Sequence, residues 1–337
     1  MYRRAAFLLS LGLALSVFSA LAQDAGKDET IKVETRLVSI PTVVSDRNGR
    51  YIPNLIQTDF TVFQDGVAQK IEFFAATEEP INVALLIDTS HSTHGVLGDI
   101  KDSAKSFIKL LAPAGKAMIV AFDYDVHILS PLTSDQEQLK KAIKNAEIPE
   151  DLGTMMRDAV IQTVMGAFKD LRGRKAIILL TDGKDAGSAI SGGSLLYRMQ
   201  ETDTLVYTVM FKTENQNFRD RPRFGRGGRG VFGRGLPPII WPDERATRRR
   251  QRQEEKNLEA QEFLQKLSEV SAGRFYSSKN GKLKDTFATI VEELRFQYRL
   301  GFYPPEDTRD DKQHELKVKV ARSDVSVRTR ASYRVQK

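Results

Sequence analysis

The sequence has no cysteine in 337 residues. Disulfides, thiolate metal sites, cysteine nucleophiles and acylated-cysteine anchors are excluded together. Histidine is scarce as well: His91, His94, His127 and His314 are the four present, too few and too scattered for a multi-histidine zinc site. Long apolar runs are missing after the first twenty residues. The one such run, Ala5–Val17, follows Arg3 and Arg4 and precedes Ala20-Leu21-Ala22. A basic start, a short apolar stretch and an A-x-A pattern read as a cleaved export signal over 1–22, the run being shorter than the roughly 20 residues a spanning helix needs. The expected product is exported, periplasmic or secreted, with no transmembrane segment after cleavage.

What is present is an ordinary globular composition, 41% apolar and 28% charged, with 51 Lys plus Arg against 44 Asp plus Glu. The excess of positive charge is local. Eleven arginines fall between Glu214 and Lys256, and six glycines between Gly225 and Gly235. Gly, Arg and Pro at this density cannot bury a core, so 214–256 is expected to be a disordered insertion. It reads as a solvated loop or as a tether to an anionic envelope surface; no specific nucleic acid is expected.

Residues 23–79 read as strands. Ile31–Thr35 alternates, Val38–Val44 is β-branched, and Phe60–Phe63 meets the hairpin dipeptide Asp65-Gly66 before Ile71–Phe74 returns. From Asn82 the pattern becomes α/β. Val83–Ile87, Ala117–Phe122, Ala176–Leu180 and Leu205–Phe211 are apolar runs of the kind that strands buried on both faces require. Helical segments lie between them, at Asp99–Leu111, Gln136–Ala146, Met155–Asp170 and Leu195–Glu201. After the insertion come a helix at Asn257–Ser271, a strand at Arg274–Tyr276 and a helix at Lys284–Arg295. This alternation predicts a mostly parallel sheet covered on both faces. The tail, 298–337, returns to strands at Tyr298–Tyr303, Glu315–Ala321 and Val325–Val335. Neither flank has enough strands for a core of its own. They are expected to pair into one small β-sandwich-like domain with the α/β domain, 80–297, inserted between them.

The chemistry-bearing residues fall at strand ends. Val83–Ile87 runs into Asp88-Thr89-Ser90-His91-Ser92, Thr154 opens a helix, and Ala176–Leu180 ends in Thr181-Asp182-Gly183. In an open α/β sheet these positions share one edge, where ligands bind. Two carboxylates and three hydroxyls converging there are hard oxygen donors, suited to a magnesium-sized ion and poor for zinc. Ser, Thr and Asp are also favoured as helix caps, which gives the same residues a purely structural reading.

This D-x-S-x-S, distant Thr and T-D-G set resembles the metal-ion-dependent adhesion site of von Willebrand factor type A domains. Asp88, Ser90, Ser92, Thr154 and Asp182 match its five ligand positions in order. The resemblance covers about Ile81–Arg295. The flanks are similar to bacterial VWFA-related proteins, with Asp59–Gly66 before the A domain and Tyr298–Pro304 after it. The resemblance implies a Rossmann-like fold and metal-dependent protein binding; the hard oxygen donors point to Mg2+ or Mn2+, an ion neutralised incompletely by them would take a partner's exposed Asp or Glu, and the lack of an assignable general base makes the expected role non-enzymatic. His91, Thr93 and Met155-Met156-Arg157 depart from the usual pattern without removing a ligand. A metal-assisted hydrolase and a structural envelope protein are the alternatives. Asp123 and Asp125 read as turn carboxylates or an acid/base pair, and Asp158 as a helix-start charge or a support behind the metal.

Overall fold

The computed structural model describes residues 37–76, 80–112, 115–211, 244–278, 283–305 and 310–334. The expected signal, the strand at Ile31–Thr35 and the segment 212–243 lie outside the described residues.

The chain opens with strands β1 (Val38–Asp46), β2 (Phe60–Gln64), β3 (Val67–Gln69) and β4 (Phe73–Ala75). There follow β5 (Ile81–Asp88), α1 (Leu97–Leu111), β6 (Gly115–Phe122), β7 (Val126–Thr133), α2 (Gln136–Lys144) and α3 (Met156–Gln162). Next come β8 (Arg174–Thr181), α4 (Gly192–Met199), β9 (Leu205–Phe211), α5 (Glu244–Val270), β10 (Phe275–Ser278) and α6 (Leu283–Arg295). The tail holds β11 (Gln297–Phe302), β12 (His314–Val320), β13 (Val325–Thr329) and β14 (Ser332–Tyr333).

The apolar runs make a six-stranded sheet in the order β10-β9-β8-β5-β6-β7, parallel except for β7. Its strands are buried on both faces, and their alternate residues feed two cores. From β5, Val83, Leu85 and Ile87 join the side chains of α1, α2 and α6 on one face. Ala84 and Leu86 join those of α3, α4 and α5 on the other. An unbroken apolar strand is the sequence form of that double burial.

The flanking strands form two antiparallel sheets, β13-β1-β11-β4 and β14-β12-β2-β3. The two halves of the chain alternate in them: β1 and β4 pair with β11, and β2 pairs with β12. The sheets enclose one core that includes Ile40, Val44, Phe60, Val62, Tyr298, Leu300, Leu316 and Val318. The paired-flank sandwich inferred from strand counting is the one observed.

Several elements differ from the sequence reading. Residues 244–256, expected within the disordered insertion, are the first turns of α5; its Glu, Gln, Arg and Lys are straight-chain residues with good helix propensity. The partner of β2 across the Asp65-Gly66 turn is Val67–Gln69, while Phe73–Ala75 crosses to the other sheet. The turn itself has φ of 48° and 83°, as a tight hairpin requires. The last strand is split. β13 pairs with β1 and β14 with β12, so the chain changes sheets at Arg330-Ala331. Buried Arg330 sits at this bend and donates to the carbonyls of Ser39 at 2.6 Å and Thr202 at 3.0 Å. The helix after Met155 ends at Gln162 and continues as a π-helical turn, Thr163–Ala167.

A buried ionic cluster joins the sandwich to the sheet domain. Glu293 of α6 is fully buried and pairs with Arg328 of β13. It also accepts hydrogen bonds from Tyr207 (2.6 Å) and Tyr51 (3.1 Å). Arg328 donates to the carbonyls of Ala272 and Gly273 as well. Removing one partner of such a pair strands the other charge in the interior. Arg328→Met is therefore expected to cost about 3–5 kcal/mol in chemical denaturation, whereas truncating the exposed Lys70 should cost under about 0.5 kcal/mol.

A second contact makes the sandwich sensitive to pH. His314 lies between Asp65 (2.7 Å) and Asp310 (3.2 Å), with Lys312 on the far side of Asp310 and the Tyr333 ring beside it. Burial pulls its pKa down, but the two carboxylates outweigh this and the net shift is upward. The folded state therefore holds the proton more tightly than the unfolded chain. This contribution is complete below about pH 6.5, the unfolded value, and is lost as pH rises through the higher folded value. His314→Gln should flatten that part of the stability–pH curve, which thermal melts between pH 5 and 9 will show.

Candidate metal centre

β5 and β8 lie side by side in parallel, so their last residues emerge at one edge of the sheet. Asp88 ends β5 and Asp182 follows β8, and both are buried. Asp88 accepts from the Ser90 amide at 3.0 Å and the Ser90 hydroxyl at 2.5 Å on Oδ1, and from Thr181 at 2.7 Å on Oδ2. The Ser90 and Ser92 hydroxyls are 3.1 Å apart. Asp88, Ser90 and Ser92 thus form one contiguous oxygen cluster. Asp182 takes the Lys184 ammonium at 2.5 Å on Oδ2 and the Lys184 amide at 3.2 Å on Oδ1.

Thr154 is placed at the same edge by its backbone, which pairs with Ala186 in the loop after Asp182 (3.2 and 2.9 Å). Its hydroxyl donates to the Gly153 carbonyl at 2.8 Å. The structure therefore joins Asp88, Ser90 and Ser92 directly, sets Asp182 near enough to act on Asp88 by its charge, and places Thr154 against the loop after Asp182.

The surrounding residues hold the edge in shape. Asp123, at the end of β6, is buried and accepts from the Thr89 hydroxyl at 2.8 Å, with His127 at 3.1 Å on its other oxygen. It braces the Asp88–Ser92 loop from behind. Asp125 does what a turn residue does, accepting from the Val126 amide at 2.7 Å. Asp158 accepts from the amides of Ala189 and Ile190 at 2.8 and 3.0 Å, so it anchors the loop that follows Asp182. Asp185 holds the same loop to Arg157. Gly183, with φ +85°, lets this loop turn under α5, where an added Cβ would meet Ala260 at 2.9 Å. His91 and His94 are both exposed.

Sequence reasoning quoted Thr181 without giving it a role and missed Lys184 and Asp185. Thr181 bridges the two halves of the site, receiving the Gly183 amide at 2.9 Å while it donates to Asp88. Its position, one before the strand-ending Asp, was the available signal. Lys184 and Asp185 carry no pattern that separates them from solvated loop charges.

The electrostatics favour a cation. Burial, and then the negative charge of Asp182, push the Asp88 carboxyl up to about 7. Two interior carboxylates repel unless a positive charge lies between them. The donors at this edge are oxygens, from carboxylates and hydroxyls, which match a hard divalent ion. Among the described residues no group of three or more His, Cys, Asp or Glu gathers to hold a metal; this set has two carboxylates and draws its other donors from hydroxyls.

The family model for the von Willebrand factor type A domain matches residues 83–184, the span that contains all five of these residues. The chain carries a von Willebrand factor type A domain. Such domains are typically adhesion or protein-interaction modules. Comparison with the curated proteins finds no match. Among solved structures, the chain aligns with a conserved hypothetical protein, BatB, from Bacteroides thetaiotaomicron. The identity is 18% over 64% of this chain and 97% of that one, with a TM-score of 0.44. The vWF domain of the type V pili tip protein Mfa5 from Porphyromonas gingivalis is 12% identical over 64% and 95%, with a TM-score of 0.42. Proximal thread matrix protein 1 from the mussel byssus, with a zinc-occupied MIDAS motif, is 14% identical over 68% and 49%, with a TM-score of 0.46. Among the described residues of this chain no helix is long and apolar enough to cross a membrane.

The raised Asp88 pKa fixes the sign of a pH effect in the A domain. The folded state takes up a proton there that the unfolded chain has already released, so without divalent ions this carboxyl lowers stability progressively from about pH 4 to about 7. Asp88→Asn should remove that slope. Melting in chelator across this range checks it: a wild-type slope that survives the substitution would place the effect elsewhere.

Proposed function

We propose that this A domain is an exported protein-binding module that grips a partner's carboxylate through a divalent cation, magnesium or manganese. Asp88, Ser90, Ser92, Thr154 and Asp182 would hold the ion. The observation that carries the reading is the pair of buried carboxylates at one sheet edge, with Asp88 surrounded by hydroxyl donors and, among the described residues, no cationic side chain paired with it. A divalent ion supplies there a positive centre able to accept one more anionic oxygen from outside. The chain's own residues keep the cluster rigid: Asp123 through Thr89, and Asp158 and Asp185 through the loop after Asp182. An ion at Asp182 must also share that carboxylate with the Lys184 ammonium.

The reading is of binding rather than catalysis. Hydrolysis by an ion-activated water needs a base at the site. His91, between Ser90 and Ser92, is exposed and carries no hydrogen bond that would orient it as a base among the described residues, and His127 is held by Asp123 behind the loop.

Titration calorimetry should show one Mg2+ or Mn2+ bound per chain. Asp182→Ala should abolish binding while the protein stays folded. Lys184→Met, by removing the competing ammonium, should tighten ion binding several-fold. The ion should also raise the melting temperature, since it binds the folded state alone. A well-folded wild-type protein that binds no divalent ion would defeat the reading, and turnover in a hydrolase panel with magnesium would replace it with an enzymatic one.

A further inference from the structure

Two of the four histidines have carboxylate partners. His127 is held by Asp123, and His314 lies between Asp65 and Asp310. The other two, His91 and His94, are exposed, and neither imidazole has a hydrogen bond or ion pair among the described residues. Both stand on the short turn that follows Asp88.

That turn is a 3-10 helix, His91–Thr93, with Ser90 before it and His94 closing it in helical conformation. The amides of Thr93, His94 and Val96 donate to the carbonyls of Ser90, His91 and Thr93 at 3.0, 3.3 and 2.8 Å. Such a helix repeats every three residues, so side chains at i and i+3 eclipse. It therefore has three sides. Thr93 takes the inner one: it is buried, and its hydroxyl donates to the Ser90 carbonyl at 2.8 Å, which pins the turn. Ser92 takes the side of the oxygen cluster, 3.1 Å from the Ser90 hydroxyl. The third side holds His91 and His94, their backbones about 6 Å apart at 2.0 Å per residue. The space next to them is open: a Cβ added at Gly95 would meet nothing within 4 Å.

Two imidazoles eclipsed on a pinned turn are a chelating pair. The backbone fixes their separation, so the second ring meets an ion already held by the first at high effective concentration. Imidazole nitrogen suits zinc, copper or nickel and is a poor donor for magnesium. The carboxylates and hydroxyls of the neighbouring cluster have the opposite preference. One loop thus presents two donor chemistries on two of its sides.

We infer that His91 and His94 form a second metal site, for a borderline divalent ion of the zinc class, separate from the oxygen cluster. A closed structural zinc site takes four protein ligands. Two imidazoles leave the remaining positions to water or to donors from a second molecule, and the open side at Gly95 gives them access. The pair needs neither Asp88 nor Asp182, and so stands apart from the proposed function.

The probe is Zn2+, titrated calorimetrically into the full-length protein with magnesium in excess. One zinc ion per chain is expected to bind. His91→Gln and His94→Gln should each weaken that binding by on the order of tenfold to a hundredfold, since either one breaks the chelate. Both positions are exposed, so the metal-free melting temperature should stay at the wild-type value. Asp182→Ala should leave the zinc affinity unchanged. With Cu2+ in place of zinc, electron paramagnetic resonance should show nitrogen couplings that the double variant His91→Gln/His94→Gln loses. No zinc binding by the wild type, or equal affinity in the wild type and the double variant, would overturn the inference. So would zinc binding that Asp182→Ala abolishes, since the ion would then sit in the oxygen cluster. Histidine-dependent zinc binding in a protein that binds no magnesium would defeat the proposed function and leave this site standing.

Discussion

A carboxylate at the end of the central strand sets the terms for the rest of the A domain. β5 has neighbours on both sides and cores on both faces, so its last residue cannot reach bulk water. Asp88 occupies that place, and an interior carboxylate costs several kcal/mol unless something offsets its charge. Three hydrogen bonds from Ser90 and Thr181 meet its lone pairs without adding a positive charge. Asp182, one strand over, makes the demand larger. The local chemistry of the edge follows from holding these two groups together.

Holding them takes supports on three sides. Asp123 fixes Thr89 between Asp88 and Ser90; Asp158 and Asp185 tie down the loop after Asp182; Gly183 admits α5 close enough to roof that loop. The proposed ion site would then need no rearrangement to be filled, its residues lying at strand ends and its supports on neighbouring elements.

The sheet domain was legible because its strands are buried on both faces: runs such as Ala176–Leu180 leave little else for the chain to do. Asp88, Ser90, Ser92 and Asp182 were legible because each sits at a strand end, where open α/β sheets expose side chains. The sandwich was legible as a count of strands and less so in its pairing. Val325–Val335 alternates as one strand should, and the local pattern holds no sign that Arg330 finds three carbonyls in two other elements where the chain bends between sheets. Helix α5 was missed at its start because arginine density in a glycine-rich context reads as solvated loop. The glycines stop at Gly235, and the arginines beyond it stand among helix formers.

Two buried acids in this chain are met by very different surroundings. Glu293 is fully enclosed and has a resident guanidinium, two phenols and a second arginine at 3.6 Å, so it is neutralised within the fold and welds the sandwich to the sheet. Asp88 is equally enclosed and has hydroxyls, an amide and another carboxylate. If both were there for stability alone, the second would be the poorer solution by the cost of an uncompensated interior charge. An arrangement that gives a carboxylate three hydrogen bonds, keeps one of its roughly four lone-pair sites open and still leaves its charge unanswered suits a cation that comes from solution. Such a cation brings with it the means to hold an anion from outside.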